Sequence, residues 1–279
     1  ASYGFHYTQD LVKNIAHALM IHCAANRLLF NTYENRFVFY ITEYLDKKEL
    51  VEFSRLITQT LESYLSIERI AGGIGVIEMD QNNTLSADQI LRNLLIASEK
   101  ALEINDGEIV TCFYDSELEK EINREQEIKH ELNQIIQDEN DGGLYLQFQP
   151  ILDLRSNQIC SFEALARING RSLGRVPPLE FIPIAEKTKL MIPVGTKIIR
   201  QAFRFLNHLY ALGFDTISVS INISVEQLLK NDFCQNFLNI IREMQVIPEN
   251  VIVEITESIF SSNYQEINRI LAELQKAGI

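Results

Sequence analysis

The sequence predicts an α/β protein whose second half is organised as the first half of a TIM-type (βα)8 barrel. Strand-like and helix-like patterns alternate from residue 144 to residue 279. Three of the strand-like stretches carry an oxygen donor near their carboxyl ends, namely Glu163, Asn222 and Glu254. The carboxyl ends of successive parallel strands share one rim with the loops that follow them, and barrel active sites lie on that rim.

Composition narrows the class of protein and of partner. The 279 residues are enough for two domains, and the 46% hydrophobic content is enough to form their cores. The net charge of -13 argues against a nucleic-acid partner, because binding to a phosphate backbone depends on clustered Lys and Arg. No apolar run reaches the roughly 18 residues of a membrane span, so we expect no membrane contact by this segment. The four cysteines lack metal-ligand spacing, and we expect buried, reduced thiols in a cytoplasmic protein.

The first half of the chain predicts a smaller α/β domain. An amphipathic helix over residues 8–22 precedes a hairpin with strands at 27–30 and 36–41 around the polar tip 31–35. The patterns then predict a helix over 48–65, a strand over 69–79 and a helix over 87–103 that Ser86 caps.

Two segments of this half leave alternatives open. Gly72-Gly73-Ile74-Gly75 could form a phosphate loop, but no Lys-Ser or Lys-Thr follows, which favours a strand with close backbone neighbours. Apolar residues recur at helical intervals over residues 115–140, which predicts a connecting helix with a thin apolar stripe. The stripe either docks on one of the domains, which is the commoner fate, or pairs with a second copy in a homodimer. Asp141-Gly142-Gly143 ends this helix.

The second half alternates strands and helices. The predicted order is strands at 144–154 and 159–166, a short segment at 178–187, a helix over 195–212, a strand ending at Asn222, a helix opened by the capping box of Ser224 and Gln227, a strand ending at Glu254, and a helix over 263–277.

The strand over 159–166 places an acid and a base in one line. Its period of two puts Ser161, Glu163, Leu165 and Arg167 on the same face of an apolar run. A carboxylate inside a buried strand needs a partner or a metal ion. One interpretation is a structural ion pair between Glu163 and Arg167, and the other is a functional site. The donors on two later strands favour the site.

Five motifs resemble those of EAL domains, in their usual order. They are Leu146-Gln147-Phe148-Gln149-Pro150-Ile151, Glu163-Ala164-Leu165-Ala166-Arg167, Phe181-Ile182-Pro183-Ile184-Ala185-Glu186, Ile221-Asn222-Ile223-Ser224 and Glu254-Ile255-Thr256-Glu257-Ser258. EAL domains are metal-dependent phosphodiesterases that open the bacterial second messenger cyclic di-GMP.

The resemblance implies a role for each matching residue. Glu163, Asn222 and Glu254 match ligands of magnesium or manganese; Gln149, Leu165 and Arg167 match substrate-binding positions; Glu257 matches a glutamate that anchors a loop. It also implies that a pair of aspartates, a lysine and the general-base glutamate belong to a second half of the barrel that this sequence does not contain. We therefore expect the 279-residue chain by itself not to hydrolyse cyclic di-GMP.

The first half resembles, more loosely, the latter part of a GGDEF domain, the module that makes cyclic di-GMP. Gly72-Gly73-Ile74-Gly75-Val76 is similar to the family's glycine-bearing strand, and Asp10-Leu11 to part of its early helix. At the signature hairpin the chain has Tyr33-Glu34-Asn35-Arg36-Phe37, of which only Phe37 fits. The missing glycines and acidic pair imply that the domain makes no cyclic di-GMP, while GTP remains a candidate ligand.

Together the resemblances predict a cyclic di-GMP-specific phosphodiesterase that forms pGpG. Residues 1–114 would be an inactive GGDEF-like regulatory domain, residues 115–140 a connecting helix, and residues 141–279 the first half of an EAL domain. The alternative is a receptor of the same fold that binds cyclic di-GMP without cutting it; retained metal ligands favour the enzyme. A third interpretation is a protein-interaction scaffold that binds no nucleotide.

Overall fold

The structure, a computed structural model, describes residues 5–33, 36–68, 71–79, 85–104, 108–255 and 264–279. The chain divides into two compact units, residues 1–121 and residues 122–279. Within the described ranges, none of the helices combines the length and the apolar character that crossing a membrane would require.

The first unit contains two small sheets and the helices around them. Its elements are α1 (Phe5–Met20), β1 (Arg27–Tyr33), β2 (Arg36–Ile41), α2 (Lys47–Glu68), β3 (Gly73–Ile77), α3 (Ala87–Ile104), β4 (Val110–Tyr114) and the beginning of α4 (Ser116–Gln137). β1 and β2 form an antiparallel hairpin, whereas β3 and β4 are parallel and joined through α3. Strand β4 is absent from the sequence prediction. A core cluster forms around Ile15, Leu19, Phe53 and Ile57.

The glycine-bearing stretch is a strand, as the sequence favoured. A Cβ atom on Gly73 would lie 2.5 Å from the carbonyl oxygen of Ser98, and one on Gly75 would lie 2.5 Å from that of Leu94. Helix α3 therefore packs directly on the backbone of β3, a distance that only glycine permits. The alternative of a phosphate loop does not hold.

The second unit is a mixed sheet with helices. It contains the rest of α4, β5 (Leu144–Asp153), β6 (Gln158–Gly170), β7 (Gly174–Val176), α5 (Pro178–Lys187), α6 (Met191–Ala211), β8 (Ser218–Ile223), α7 (Val225–Leu228), α8 (Phe233–Met244), β9 (Val251–Ile255) and α9 (Tyr264–Lys276). The strand order is β5-β6-β8-β9, with the short β7 paired to β6.

The prediction of successive parallel strands is wrong for the first strand. β5 runs antiparallel to β6, whereas β6, β8 and β9 are parallel. The reason is the connection: only residues 154–157 join β5 to β6, and a parallel pair needs a crossover of a dozen or more residues. The predicted segment over 178–187 is helix α5, and the predicted helix after Ser224 is divided into α7 and α8.

The capping residues named from the sequence act as caps. The Ser224 hydroxyl accepts a hydrogen bond from the Gln227 backbone N–H, and the Gln227 side chain accepts one from the Ser224 N–H. Ser86 and Gln89 form the same reciprocal pair at the start of α3. The cysteine prediction is only partly right: all four thiols are free, but Cys23 and Cys160 are exposed, and Cys112 and Cys234 are half-buried. Cys160 lies on β6, and Cys23 lies between α1 and β1.

The central sheet of the second unit has one apolar and one polar face. Along β8, Val219, Ile221 and Ile223 are at most 2% exposed and belong to the core. On the same side, the ring of Phe148 stacks on Phe205 of α6, with ring centroids 3.7 Å apart. Burying such side chains contributes about 1.5–3 kcal/mol each. The packing against α6 therefore fixes which face of the strands remains available for a site.

Half of the connecting helix belongs to this core. Ile128, Leu132 and Ile135 of α4 are at most 1% exposed and lie in the same apolar cluster as the sheet. The apolar stripe of this part of α4 thus docks on the second unit, the commoner of the two fates weighed from the sequence. Asp141 and Gly142, with φ of 65° and 59°, turn the chain from α4 into β5.

Candidate functional site

The three predicted metal ligands lie on one face of neighbouring strands. In the register, Glu163 of β6 pairs with Ser220 of β8, and Asn222 pairs with Glu254 of β9. Paired residues of adjacent strands direct their side chains to the same face. The Asn222 Nδ2 group donates a hydrogen bond of 3.2 Å to Glu163 Oε1. Asn222 is exposed, while Glu163 and Glu254 are half-buried, so the group is open to a ligand.

Arg167 has partners other than Glu163. Its Nε donates to Gln147 Oε1 at 2.8 Å, and its Nη1 donates to the carbonyl oxygen of Ala166 at 2.9 Å. Across the described residues, no ion pair joins Arg167 to Glu163. The structural ion pair weighed from the sequence is therefore wrong, because residues four apart in a strand are separated by about 13 Å.

The remaining predicted substrate residues share this face. Gln149 is exposed and pairs with Glu163, so the antiparallel β5 brings its side chain to the metal-ligand end of β6. Leu165 is half-buried and pairs with Gln147. Glu257, the predicted loop anchor, lies outside the described residues.

Gln147 belongs to the first of the five motifs, but sequence reasoning gave it no role. It holds the Nε of Arg167 and stands on the polar face of β5 between Tyr145 and Gln149. The alternation of Leu144, Leu146 and Phe148 with those residues carried the signal, since period two places Gln147 on the face of Gln149.

Two serines lie on the buried part of the same face. Ser161 is 7% exposed and Ser220 is 1% exposed. The Ser220 Oγ is buried and has no hydrogen-bond partner within the described part of the chain. On α5, burial raises the pKa of Glu186, and the Glu226 carboxylate on α7 adds to the effect.

The donor set suits a hard divalent cation. Glu163, Glu254 and Asn222 offer two carboxylates and a carboxamide, and magnesium and manganese prefer oxygen ligands. Asn222 now turns its amino group to Glu163, and a half-turn of the carboxamide would present Oδ1 instead. In the ranges that the structure covers, His, Cys, Asp and Glu side chains form no group of three or more that could hold a metal. The Asn222 carboxamide is therefore needed to bring this set to three donors.

A comparison with protein families decides the assignment. A family model described as the EAL domain matches residues 131–279, more than half of the chain. The chain belongs to the EAL-domain family. Its α/β fold is the EAL-domain fold as far as the described residues extend.

Relatives of this EAL-domain protein include enzymes of cyclic di-GMP turnover. The chain is 29% identical over 279 residues to an uncharacterised protein of Synechocystis sp., covering 99% of this chain and 39% of that protein. It is 27% identical over 207 residues to a cyclic di-GMP phosphodiesterase of Pseudomonas aeruginosa, covering 74% and 34%. It is 23% identical over 283 residues to the bifunctional diguanylate cyclase/cyclic di-GMP phosphodiesterase MucR of the same organism, covering 100% and 40%.

A solved structure shows the same fold with nucleotides present. The EAL enzyme Bd1971 in its cAMP- and cyclic di-GMP-bound form matches 70% of this chain and 50% of its own chain, with 27% identity and a TM-score of 0.52. The present chain spans well under half of the length of the curated relatives named above.

Proposed function

We propose that the polar face of the second unit binds cyclic di-GMP and that a longer protein, which carries both halves of the barrel, hydrolyses it to pGpG. The observation that carries the proposal is the convergence of Glu163, Asn222, Glu254 and Arg167 on one exposed face, with a hydrogen bond between the first two. The similarity to a cyclic di-GMP phosphodiesterase of Pseudomonas aeruginosa supports it. In this proposal Glu257, which lies outside the described residues, anchors a loop.

Each residue has a chemical task in this proposal. Glu163, Glu254 and Asn222 would hold magnesium or manganese, and such an ion, when bound, lowers the pKa of water and neutralises charge on a phosphodiester. Arg167, oriented by Gln147 and Ala166, provides a cation for a ligand phosphate. Gln149 and Leu165 provide a hydrogen-bonding and an apolar contact beside it.

Calorimetric titration of cyclic di-GMP, with manganese present, tests the binding. We expect Arg167→Met to raise the Kd about 10-fold or more, since a hydrogen bond from a charged group is worth roughly 1.5–3 kcal/mol. The matched control is Arg155→Met in the turn between β5 and β6, where the arginine side chain is 96% exposed. No binding by the unmodified protein, or equal affinities for both variants, would refute the proposed site.

Metal binding is tested on the same protein without nucleotide. Glu163→Gln removes one anionic ligand and is expected to weaken manganese binding at least about 10-fold, whereas Glu139→Gln at an exposed position should not. Conversion of cyclic di-GMP to pGpG by a protein that carries both halves of the barrel, followed by anion-exchange chromatography with and without a chelator, then tests the reaction. The 279-residue chain alone is expected to form no pGpG.

A non-catalytic receptor of the same fold is the second candidate. The observation in its favour is that, among the described residues, the site offers two carboxylates and one carboxamide, and a binding site for cyclic di-GMP has no need of a general base. Tight binding without pGpG formation under any metal condition, by a protein that carries both halves of the barrel, would select this function over the phosphodiesterase.

For the first unit, we propose an inactive GGDEF-like regulatory domain over residues 1–114, joined by a connecting helix over 115–140 to the EAL domain at 141–279. The parallel pair β3 and β4 with α3 packed on Gly73 and Gly75 supports this, as does an alignment to the bifunctional MucR protein that covers the whole chain. Asn35 lies outside the described residues, and Arg36 begins β2. Incubation with GTP should yield no cyclic di-GMP, and GTP binding tests the regulatory role.

A further inference from the structure

Among the described residues, Glu131 on α4 is the most deeply buried charged residue, with 3% of its surface exposed. Its Oε1 accepts a hydrogen bond of 3.1 Å from the Arg171 backbone N–H, and its Oε2 accepts one of 3.5 Å from the Ser172 hydroxyl. A buried carboxylate is costly unless its oxygens are hydrogen-bonded. Glu131 is therefore committed to the turn between β6 and β7.

Gly170, the last residue of β6, allows this contact. A Cβ atom at this position would lie 2.7 Å from Cδ of Glu131 and 2.8 Å from its Oε2. The backbone of Gly170 is buried directly against the carboxylate, so helix and strand end are in contact without an intervening side chain. Any larger residue would have to displace the Glu131 side chain.

Further contacts fasten the same region. Asp138, just after α4, accepts a hydrogen bond of 3.0 Å from Arg171 Nη2. The Asn169 N–H donates to the Gly143 carbonyl oxygen at 2.9 Å. Leu132, the neighbour of Glu131, is fully buried in the core. A shift of α4 would therefore move the carboxyl end of β6.

That end of β6 is the one that carries Arg167, three residues before Gly170. We propose that Glu131 is a positioning residue for the nucleotide site: by holding the β6–β7 turn on α4, it fixes the strand end from which Arg167 extends to meet a ligand phosphate. The part of this inference that concerns affinity rests on the proposed binding of cyclic di-GMP. The part that concerns the placement of Arg167 does not.

Three variants of the full chain test it. Glu131→Leu removes both acceptors at nearly constant volume, Glu131→Gln keeps an oxygen for the Arg171 N–H, and Gly170→Ala disturbs the contact from the strand side. Glu127→Leu, an exposed position one turn earlier on α4, is the matched control. Far-UV circular dichroism establishes folding, and Gly170→Ala carries the test if Glu131→Leu does not fold.

The first measurements need no nucleotide. We expect the Arg171 amide to exchange with deuterium about 10-fold faster or more in Glu131→Leu, because it loses a bond to a charged acceptor. The Arg167 Nε–H resonance, assigned through Arg167→Lys, should shift in Glu131→Leu and Gly170→Ala, and return towards its original position in Glu131→Gln. An unmoved Arg167 resonance in the folded variants would overturn the proposal.

Titration with cyclic di-GMP then separates the effect of Glu131 on affinity from its effect on the placement of Arg167. We expect the Kd to rise at least about fivefold in Glu131→Leu and to stay near the unmodified value in Glu131→Gln and Glu127→Leu. A shifted resonance with unchanged affinity would reduce Glu131 to a structural residue and refute the proposal. If the unmodified protein does not bind cyclic di-GMP while the resonance shifts as expected, the proposed function fails and the placement of Arg167 by Glu131 stands.

Discussion

Replacing Asp141 with asparagine is expected to destabilise the second unit. Asp141 lies where the chain turns from α4 into β5, and its side chain is 13% exposed. Its Oδ1 accepts a hydrogen bond of 3.2 Å from Lys197 Nζ, and its Oδ2 accepts one of 2.9 Å from Arg204 Nη1. Burial acts to raise the pKa of Asp141, but the bonds from Arg204 and Lys197 outweigh it and lower that pKa.

The two cations differ in what they contribute. Lys197 is 17% exposed, so its bond to Asp141 is largely desolvated and should be worth about 1.5–3 kcal/mol. Arg204 is 57% exposed, and solvent screening reduces its share to about 0.2–1 kcal/mol. The variant would leave Lys197 with the carbonyl oxygen of Asp138 at 2.7 Å. We therefore expect the free energy of unfolding to fall by about 2–4 kcal/mol.

Hydrogen exchange of the slowest amides in β8 measures this quantity for the second unit alone. The control is Glu273→Gln, which breaks an exposed pair with Arg269 and should cost under about 0.5 kcal/mol. The pKa of Asp141 in the folded protein is lowered from its ordinary value of 3.8. The stability that Asp141 contributes is therefore fully present at pH values above 3.8, and it is lost as the pH falls through the folded pKa. A difference below about 0.5 kcal/mol at pH 7, or one that persists in strong acid, would refute this account.

Two further outcomes follow from single contacts. Gly75→Ala should lower the Tm of the first unit, because the added Cβ would lie 2.5 Å from the Leu94 carbonyl oxygen. Overpacking of this kind costs about 1–3 kcal/mol. An unchanged Tm would mean that α3 can move away freely. Burial, reinforced by Glu273, raises the pKa of Cys234 to about 11, so iodoacetamide at pH 8 should alkylate the exposed Cys160 far faster than Cys234. Similar alkylation rates for Cys160 and Cys234, measured by mass spectrometry, would contradict the burial of the Cys234 thiol.

Local signals were enough to predict much of the second unit. Along β8 the sequence alternates Val219, Ile221 and Ile223 with polar residues, and the structure places these three in the core and leaves Asn222 exposed. The capping box at Ser224 was predicted because both of its hydrogen bonds join residues only three apart. The site roles of Glu163, Asn222 and Glu254 came from resemblance and stay proposals, although the register brings the three to one face.

What the sequence did not yield depends on pairing between distant residues. The direction of β5 was missed because alternation along a strand is the same whichever way its neighbour runs. The link between Gln147 and Arg167 exists only because the antiparallel register brings residues twenty apart together. Glu131 gave no signal of its own, since one acidic residue in a charged helix looks solvent-exposed until the buried Gly170 is seen beside it.

The guanidinium of Arg167 is already oriented before any ligand arrives. The hydrogen bonds from Nε to the Gln147 side chain and from Nη1 to the Ala166 carbonyl oxygen set the plane of the guanidinium. Among the described residues, Nη2 has no hydrogen-bond partner. Ordering a free arginine side chain on association would cost about 0.5–1.5 kcal/mol of entropy. Here that entropy is lost during folding instead. In the proposed site, a ligand phosphate would therefore meet a cation of fixed direction, and the angle at which its anionic oxygen approaches would affect how well it binds.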